Sequence, residues 1–131
     1  MKRVLLDTSV IIDFLRRKDK DKTLLFVLAQ QEINLYISII THTELYAGKS
    51  VWENKNAKEE LETLFSGMKI LPLEHNISQK AGEIKAKYNL NLLDAIVAAT
   101  SILHSLELVT LNIKDFDKVK EINLFTDDFR S

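Results

Sequence analysis

The chain has 131 residues, a mass of 15.1 kDa and a formal net charge of -1. That length predicts a single domain over residues 1–131, large enough for a real core without staples. With 46% hydrophobic residues, 28% charged residues and no cysteine, the composition excludes disorder, a disulfide framework, thiolate-ligated metals and a thiol nucleophile. No apolar run is long enough to span a membrane, and the first one stops at Asp7, too early for a secretory leader. A cytoplasmic protein with no membrane partner is expected. The near-neutral balance offers nucleic acid no global attraction. Residues 16–22 nevertheless hold five cations and two acids, read as a solvated edge or a local phosphate-binding one.

In chain order, residues 3–7 form the first strand, where Val4, Leu5 and Leu6 follow one another without polar alternation. That pattern marks a strand covered on both faces. A short helix begins near Ser9 and carries Val10, Ile11, Ile12, Phe14 and Leu15, and a second covers residues 22–31. Residues 35–39, β-branched and aromatic, form the second strand. Thr41 starts a helix through Ala47, broken or bent at Gly48, and residues 56–65 form another with Ala57, Leu61, Leu64 and Phe65 on its apolar side. Residues 69–73 make a third short strand with Pro72 at its end, where a missing amide costs little. Ile77, Ala81, Ile84 and Tyr88 recur at helical spacing, a largely apolar helix follows over 92–103, and a strand covers 108–111. Residues 122–125 add an edge strand. Strands alternating with helices predict an α/β fold, a three-layer α/β/α sandwich around a small, mostly parallel sheet of four or five strands. Right-handed crossovers place the strand ends on one side, where the ligand chemistry of such sheets gathers.

Four acids fall at that end: Asp7, Glu44, Asp94 and Asp115 each follow a strand or open a helix. Each also has a local structural role open to it. Asp7 can bond the Ser9 backbone in an Asx turn, Glu44 can close a capping box with Thr41, Asp94 can sit in the first turn of a helix capped by Asn91, and Asp115 can cap a terminal turn. If they converge, two bare carboxylates ~4 Å apart repel by roughly 4 kcal/mol at an effective dielectric of about 20. Three or four then require protons or a hard divalent cation, Mg²⁺ or its substitute Mn²⁺. His42, His75 and His104 are not spaced as a zinc site. A carboxylate-held cation points to phosphoryl chemistry, and neither a glycine-rich phosphate loop nor a G-x-S-x-G elbow offers a rival. Ser9 and Thr8 stand ready to orient a water or phosphate, or to cap the first helix. Asn112 can hydrogen-bond a carboxylate without adding charge.

Four segments, in this order and at this length, resemble the PIN-domain ribonucleases, and within them the VapC-type toxins. They are Leu5-Leu6-Asp7-Thr8-Ser9, Thr41-His42-Thr43-Glu44-Leu45, Leu93-Asp94-Ala95-Ile96-Val97-Ala98-Ala99-Thr100 and Leu108-Val109-Thr110-Leu111-Asn112-Ile113-Lys114-Asp115-Phe116. The resemblance implies a PIN-like sandwich with an acidic pocket for Mg²⁺ or Mn²⁺. Asp7, Glu44 and Asp94 match its three most regular acids. Some relatives carry an aspartate where this chain has Asn112, while others have Asn there and use the acid before Phe116, so the resemblance assigns the fourth to Asp115 with Asn112 assisting. It further implies a metal-dependent endoribonuclease acting on single-stranded or loop RNA, a homodimer, and a cognate antitoxin protein whose C-terminal segment covers the groove. Arg16, Arg17, Lys18, Lys49 and Lys114 are the cations expected to border the crevice, and Tyr46 and Trp52 are aromatics for RNA stacking or partner contact. The alternative is a non-catalytic PIN-like module that binds protein or RNA.

Overall fold

The computed structural model describes residues 1–126, and among these it has four strands, β1 (Lys2–Leu6), β2 (Ile33–Ser38), β3 (Lys69–Leu71) and β4 (Glu107–Val109). They lie in the order β3-β2-β1-β4, and every neighbouring pair is parallel. Parallel neighbours need crossover connections, and helices supply them. α1 (Thr8–Arg16) and α2 (Leu24–Ala29) link β1 to β2, with a short 3-10 turn (Lys20–Lys22) between them. α3 (Ile39–Tyr46), α4 (Lys49–Glu53) and α5 (Lys55–Ser66) link β2 to β3; α6 (His75–Tyr88) and α7 (Leu92–Leu103) link β3 to β4; α8 (Ile113–Phe116) follows.

The central strand explains the layers. Val4, Leu5 and Leu6 are all fully buried, yet they serve two cores because successive side chains point to opposite faces. Val4 and Leu6 pack with Val10, Ile11, Leu28, Leu45 and Leu61 beneath α1 to α5. Leu5 packs with Ile77, Ile84, Ile96, Leu108 and Phe116 beneath α6 and α7. Burying each leucine or isoleucine in such a core contributes about 1.5–3 kcal/mol. α7 is buried without a break from Ala95 to Ser101. Its alanines let α6 and the sheet approach closely, and its polar members bond inside the core. Thr100 Oγ1 donates to the Ile96 carbonyl at 2.7 Å, and Ser101 Oγ to the Leu106 carbonyl at 2.8 Å.

The expected sandwich is present, with local corrections that have identifiable causes. The second helix starts later than residue 22, because Thr23 caps it by accepting the Phe26 amide at 3.3 Å. The third strand stops at Leu71, just short of Pro72, which has no amide for a ladder. Beyond Gly48 the chain forms α4 as a separate helix. Asn54 then opens α5 by accepting the Asn56 amide at 2.9 Å. The edge strand expected over 122–125 is reduced to one parallel bridge between Leu108 and Leu124. Its two backbone bonds are Leu108 N–H to the Asn123 carbonyl, 2.8 Å, and Phe125 N–H to the Leu108 carbonyl, 2.9 Å. Among the described residues no helix is long and apolar enough to cross a membrane.

Candidate active site

Asp7 follows the central strand directly, and its amide extends the β1–β4 ladder by donating to the Val109 carbonyl at 2.9 Å. Only 4% of the residue is exposed. A carboxylate buried to this degree needs donors, and it has two. Ser9 Oγ and Thr110 Oγ1 each donate to Oδ2 at 2.8 Å. The donors are themselves held from behind: Ser9 Oγ accepts the Leu111 amide at 3.1 Å, and Thr110 Oγ1 accepts the Asn112 amide at 2.9 Å. Both bonds to the carboxylate fall on one oxygen. Oδ1 takes no hydrogen bond from the described residues, and no buried side-chain oxygen among them lacks a partner, so Oδ1 faces the solvent of the groove. The Asx turn open to Asp7 does not form. Asp7 holds the N-cap position of α1 without a side-chain cap bond, and the Ser9 hydroxyl rather than its amide reaches the carboxylate. A hydroxyl donating to an ionised oxygen makes a short, charge-assisted bond, which the longer reach to a backbone amide does not improve on.

Glu44 comes from α3, the helix that follows the neighbouring strand β2. The capping box with Thr41 is absent because α3 starts two residues earlier, where Ser38 Oγ caps it by accepting the Ile40 amide at 3.1 Å. Thr41 is therefore inside the helix and fully buried. Glu44 instead turns to α1: Thr8 Oγ1 donates to Oε1 at 2.8 Å and stands 3.1 Å from Thr41 Oγ1. Thr8 and Ser9, adjacent in sequence, thus restrain two acids, Glu44 of α3 and Asp7 after β1.

Asp94 does sit in the first turn of α7, with its amide donating to Asn91 Oδ1 at 3.1 Å. Its carboxyl is pushed up to about 6. Burial is the main cause, followed by the charges of Asp7, Asp115 and Glu44, with Lys118 opposing them. One side chain therefore feels all of the expected acids. Asp115 is exposed and lies within α8 rather than at its cap, a position held by Asn112 without a side-chain bond. The turn closes through the backbone, Asp115 N–H to the Asn112 carbonyl at 3.0 Å, so the Asp115 side chain has no capping duty.

A groove of about 610 Å³ joins these groups. Asp7, Ser9, Glu44, Asp94 and Asn112 line it, and Arg16 and Arg17 stand on its wall. Asp115 reaches the site through its field on Asp94 without lining the groove. Lys18, Lys49 and Lys114, expected at the border, do not line it either. Tyr46 and Trp52 belong to an aromatic cluster elsewhere, where Trp52 Nε1 donates to the Tyr46 carbonyl at 2.7 Å and His42 lies between Tyr46 and Phe65. The roles of Thr8, Thr41 and Thr110 escaped sequence reasoning. The available signal was a hydroxyl beside each strand end, at Thr8 after β1 and at Thr110 after β4.

Among the described residues no three carboxylate or imidazole groups form a ready-made metal cage. The donor set is all oxygen, with one Asp7 oxygen open to the groove and a neighbouring carboxyl whose pKa is raised by burial and then by the other acids. That chemistry fits a hard cation that keeps several waters and takes only one or two carboxylates directly.

Comparisons with known proteins place the chain in a family. A PIN domain model matches residues 4–122. Ribonuclease VapC1 of Rickettsia felis is 29% identical over 135 residues, covering 94% of this chain and 95% of that protein. Ribonuclease VapC10 of Mycobacterium tuberculosis is 27% identical over 124 residues, covering 91% and 90%. Among solved structures, a toxin–antitoxin complex from Klebsiella pneumoniae is similar with a TM-score of 0.73 and 29% identity, covering 91% of this chain and 94% of that one. With a parallel four-strand sheet, acids gathered at its carboxyl end and a family model matched over nearly its whole length, the chain belongs to the PIN domain family.

Proposed function

We propose that this protein is a metal-dependent endoribonuclease that hydrolyses RNA phosphodiester bonds and serves as the toxin of a toxin–antitoxin pair. The observation that carries the reading is the meeting of Asp7, Glu44 and Asp94 on one groove, with Asp94 raised to about 6 by burial and by its acidic neighbours. Relatives named as VapC ribonucleases and a similar toxin–antitoxin complex support the substrate class and the partner.

Asp7, Asp94 and Glu44 would hold Mg²⁺ or Mn²⁺ directly or through its waters, and the cation when bound neutralises charge on the phosphate and acidifies an attacking water. Ser9 and Thr110 hold Asp7 by Oδ2 and so fix the direction in which Oδ1 faces the groove. Thr8 restrains Glu44 in the same way. Asp115, which does not line the groove, contributes through its charge beside Asp94, while Asn112 on the groove wall can hydrogen-bond a bound water. Arg16 and Arg17 give an approaching phosphate chain a local attraction that the net charge of -1 does not provide. On this reading the products carry 5′-phosphate and 3′-hydroxyl ends. The protein acts as a homodimer in the cytoplasm, and a small antitoxin occludes the groove.

The test is cleavage of single-stranded RNA by purified protein with Mn²⁺, beside Asp7→Asn and Asp94→Asn. Cleavage that stops with a chelator and falls at least about 100-fold in both variants is expected. RNA binding with no cleavage under any divalent cation would favour the non-catalytic module instead.

A further inference from the structure

A second hollow of about 410 Å³ opens beside the acidic groove and shares Asp13, Arg17 and Leu111 with it. Its wall is apolar. Leu24 and Val27 of α2 line it together with Leu111 and Ile113 from the turn after β4. Leu111 and Ile113 are 47% and 43% exposed, large aliphatic side chains left in water next to a cluster of acids. The rim is cationic. Arg17 Nη1 is 3.7 Å from Asp13 Oδ1, an i,i+4 pair whose carboxylate is only 22% exposed, and this holds the guanidinium against the groove wall. Lys22 completes the rim, and among the described residues it has no ion-pair partner.

We propose that this hollow is the subsite for the nucleotide flanking the scissile phosphate, a deepening that rests on the ribonuclease reading above. An apolar wall with cations at its rim matches one nucleotide: a base that loses water against aliphatic surface, and a phosphate that is paired in solvent. The volume falls in the range of small-ligand sites. Continuity through Arg17 and Leu111 lets one strand pass from hollow to acids without a break. Leu24, Val27, Leu111 and Ile113 hold the base, and Arg17 and Lys22 hold the phosphate beyond it. Aliphatic contact reads shape rather than hydrogen-bond pattern, so the subsite favours an unpaired base of any identity over a base held in a duplex.

The experiment is titration of a fluorescein-labelled single-stranded RNA hexamer onto the full chain in a chelating buffer, over a range of salt concentrations. The wild type, Arg17→Gln with Lys22→Gln, and Ile113→Ser are compared, with thermal unfolding run beside each. The double charge variant is expected to bind about tenfold more weakly at low salt. Its log–log salt slope should be shallower by roughly 1.4, about 0.7 for each lost phosphate contact. Ile113→Ser is expected to bind about fivefold more weakly with the slope kept. If the wild type binds and cleaves RNA but the folded variants keep its affinity and slope, the hollow is not an RNA subsite. Variants that keep RNA affinity while losing a protein partner would assign the wall to that partner and overturn the proposal. If the wild type neither binds nor cleaves any RNA, the ribonuclease reading itself fails, and the subsite with it.

Discussion

Asp94 carries the clearest consequence at the scale of one residue. Its folded pKa of about 6 lies above the 3.8 of an unhindered aspartate, so the fold favours its protonated form. This group supports folding fully below pH 3.8, and that support is lost as pH rises through about 6. Asp94→Asn removes the titration. The stability of the variant relative to wild type, measured by denaturant unfolding in a chelator, should therefore rise across that interval and level off above it. A difference that stays flat with pH would contradict the burial of Asp94 and its closeness to the other acids. Thr110→Val tests the other carboxylate. It removes one of the two hydrogen bonds on buried Asp7 and should cost about 1.5–3 kcal/mol. Activity should fall further than this loss of folded protein explains, since Asp7 loses its direction. The three acids that meet on the groove, Asp7, Glu44 and Asp94, were legible in the sequence, whereas Asp115 does not line it. Their hydroxyl partners were not, because Thr8 and Ser9 have capping roles of equal local merit, and only the neighbouring strands decide between them.

Elements show the same division. α7 was read over residues 92–103, and the helix is Leu92–Leu103. An apolar core with an asparagine cap and an acid in the first turn is a strong local signal, and nothing tertiary competes with it. Asn91→Ala removes the cap on the Asp94 amide and should cost about 1 kcal/mol, read as a lowered unfolding midpoint with unchanged slope. Ala98→Leu adds volume where the helix is wholly enclosed and should cost about 1–3 kcal/mol. A neutral result there would mean that α6 and the sheet lie farther from α7 than the structure has them. α3 was less legible. Thr41 and Glu44 have the spacing of a capping box, but Ser38 at the end of β2 caps first and carries Thr41 into the core. The site gains from the displacement, since Glu44 is released from capping and bonds Thr8.

For the whole molecule, charge is the governing quantity. Four of the acids act on one small site, so the rest of the chain has a net positive charge although the total is -1. RNA affinity should therefore fall steeply with salt, and a divalent cation should raise the unfolding temperature by relieving repulsion among the acids. That rise should be larger at neutral pH than below pH 6, where Asp94 is increasingly protonated and repels less. Equal stabilisation at both would argue that the cation binds away from the acids.

Apolar runs, helical spacing and turn residues act within a few positions of the chain. The sequence by itself therefore determined the alternation of strands and helices, the burial of Val4, Leu5 and Leu6, and the placing of Asp7 after the first strand and Asp94 in the first turn of α7. Pairings between distant residues depend on which strands lie side by side, and no local pattern encodes the order β3-β2-β1-β4. Tertiary structure alone decided that Thr110 serves Asp7, that Thr8 serves Glu44, and that Asp94 lies where burial and three other carboxylates raise its pKa. The physical reason is distance: hydrogen bonds and charge repulsion act over a few ångströms, and folding is what brings those groups within range.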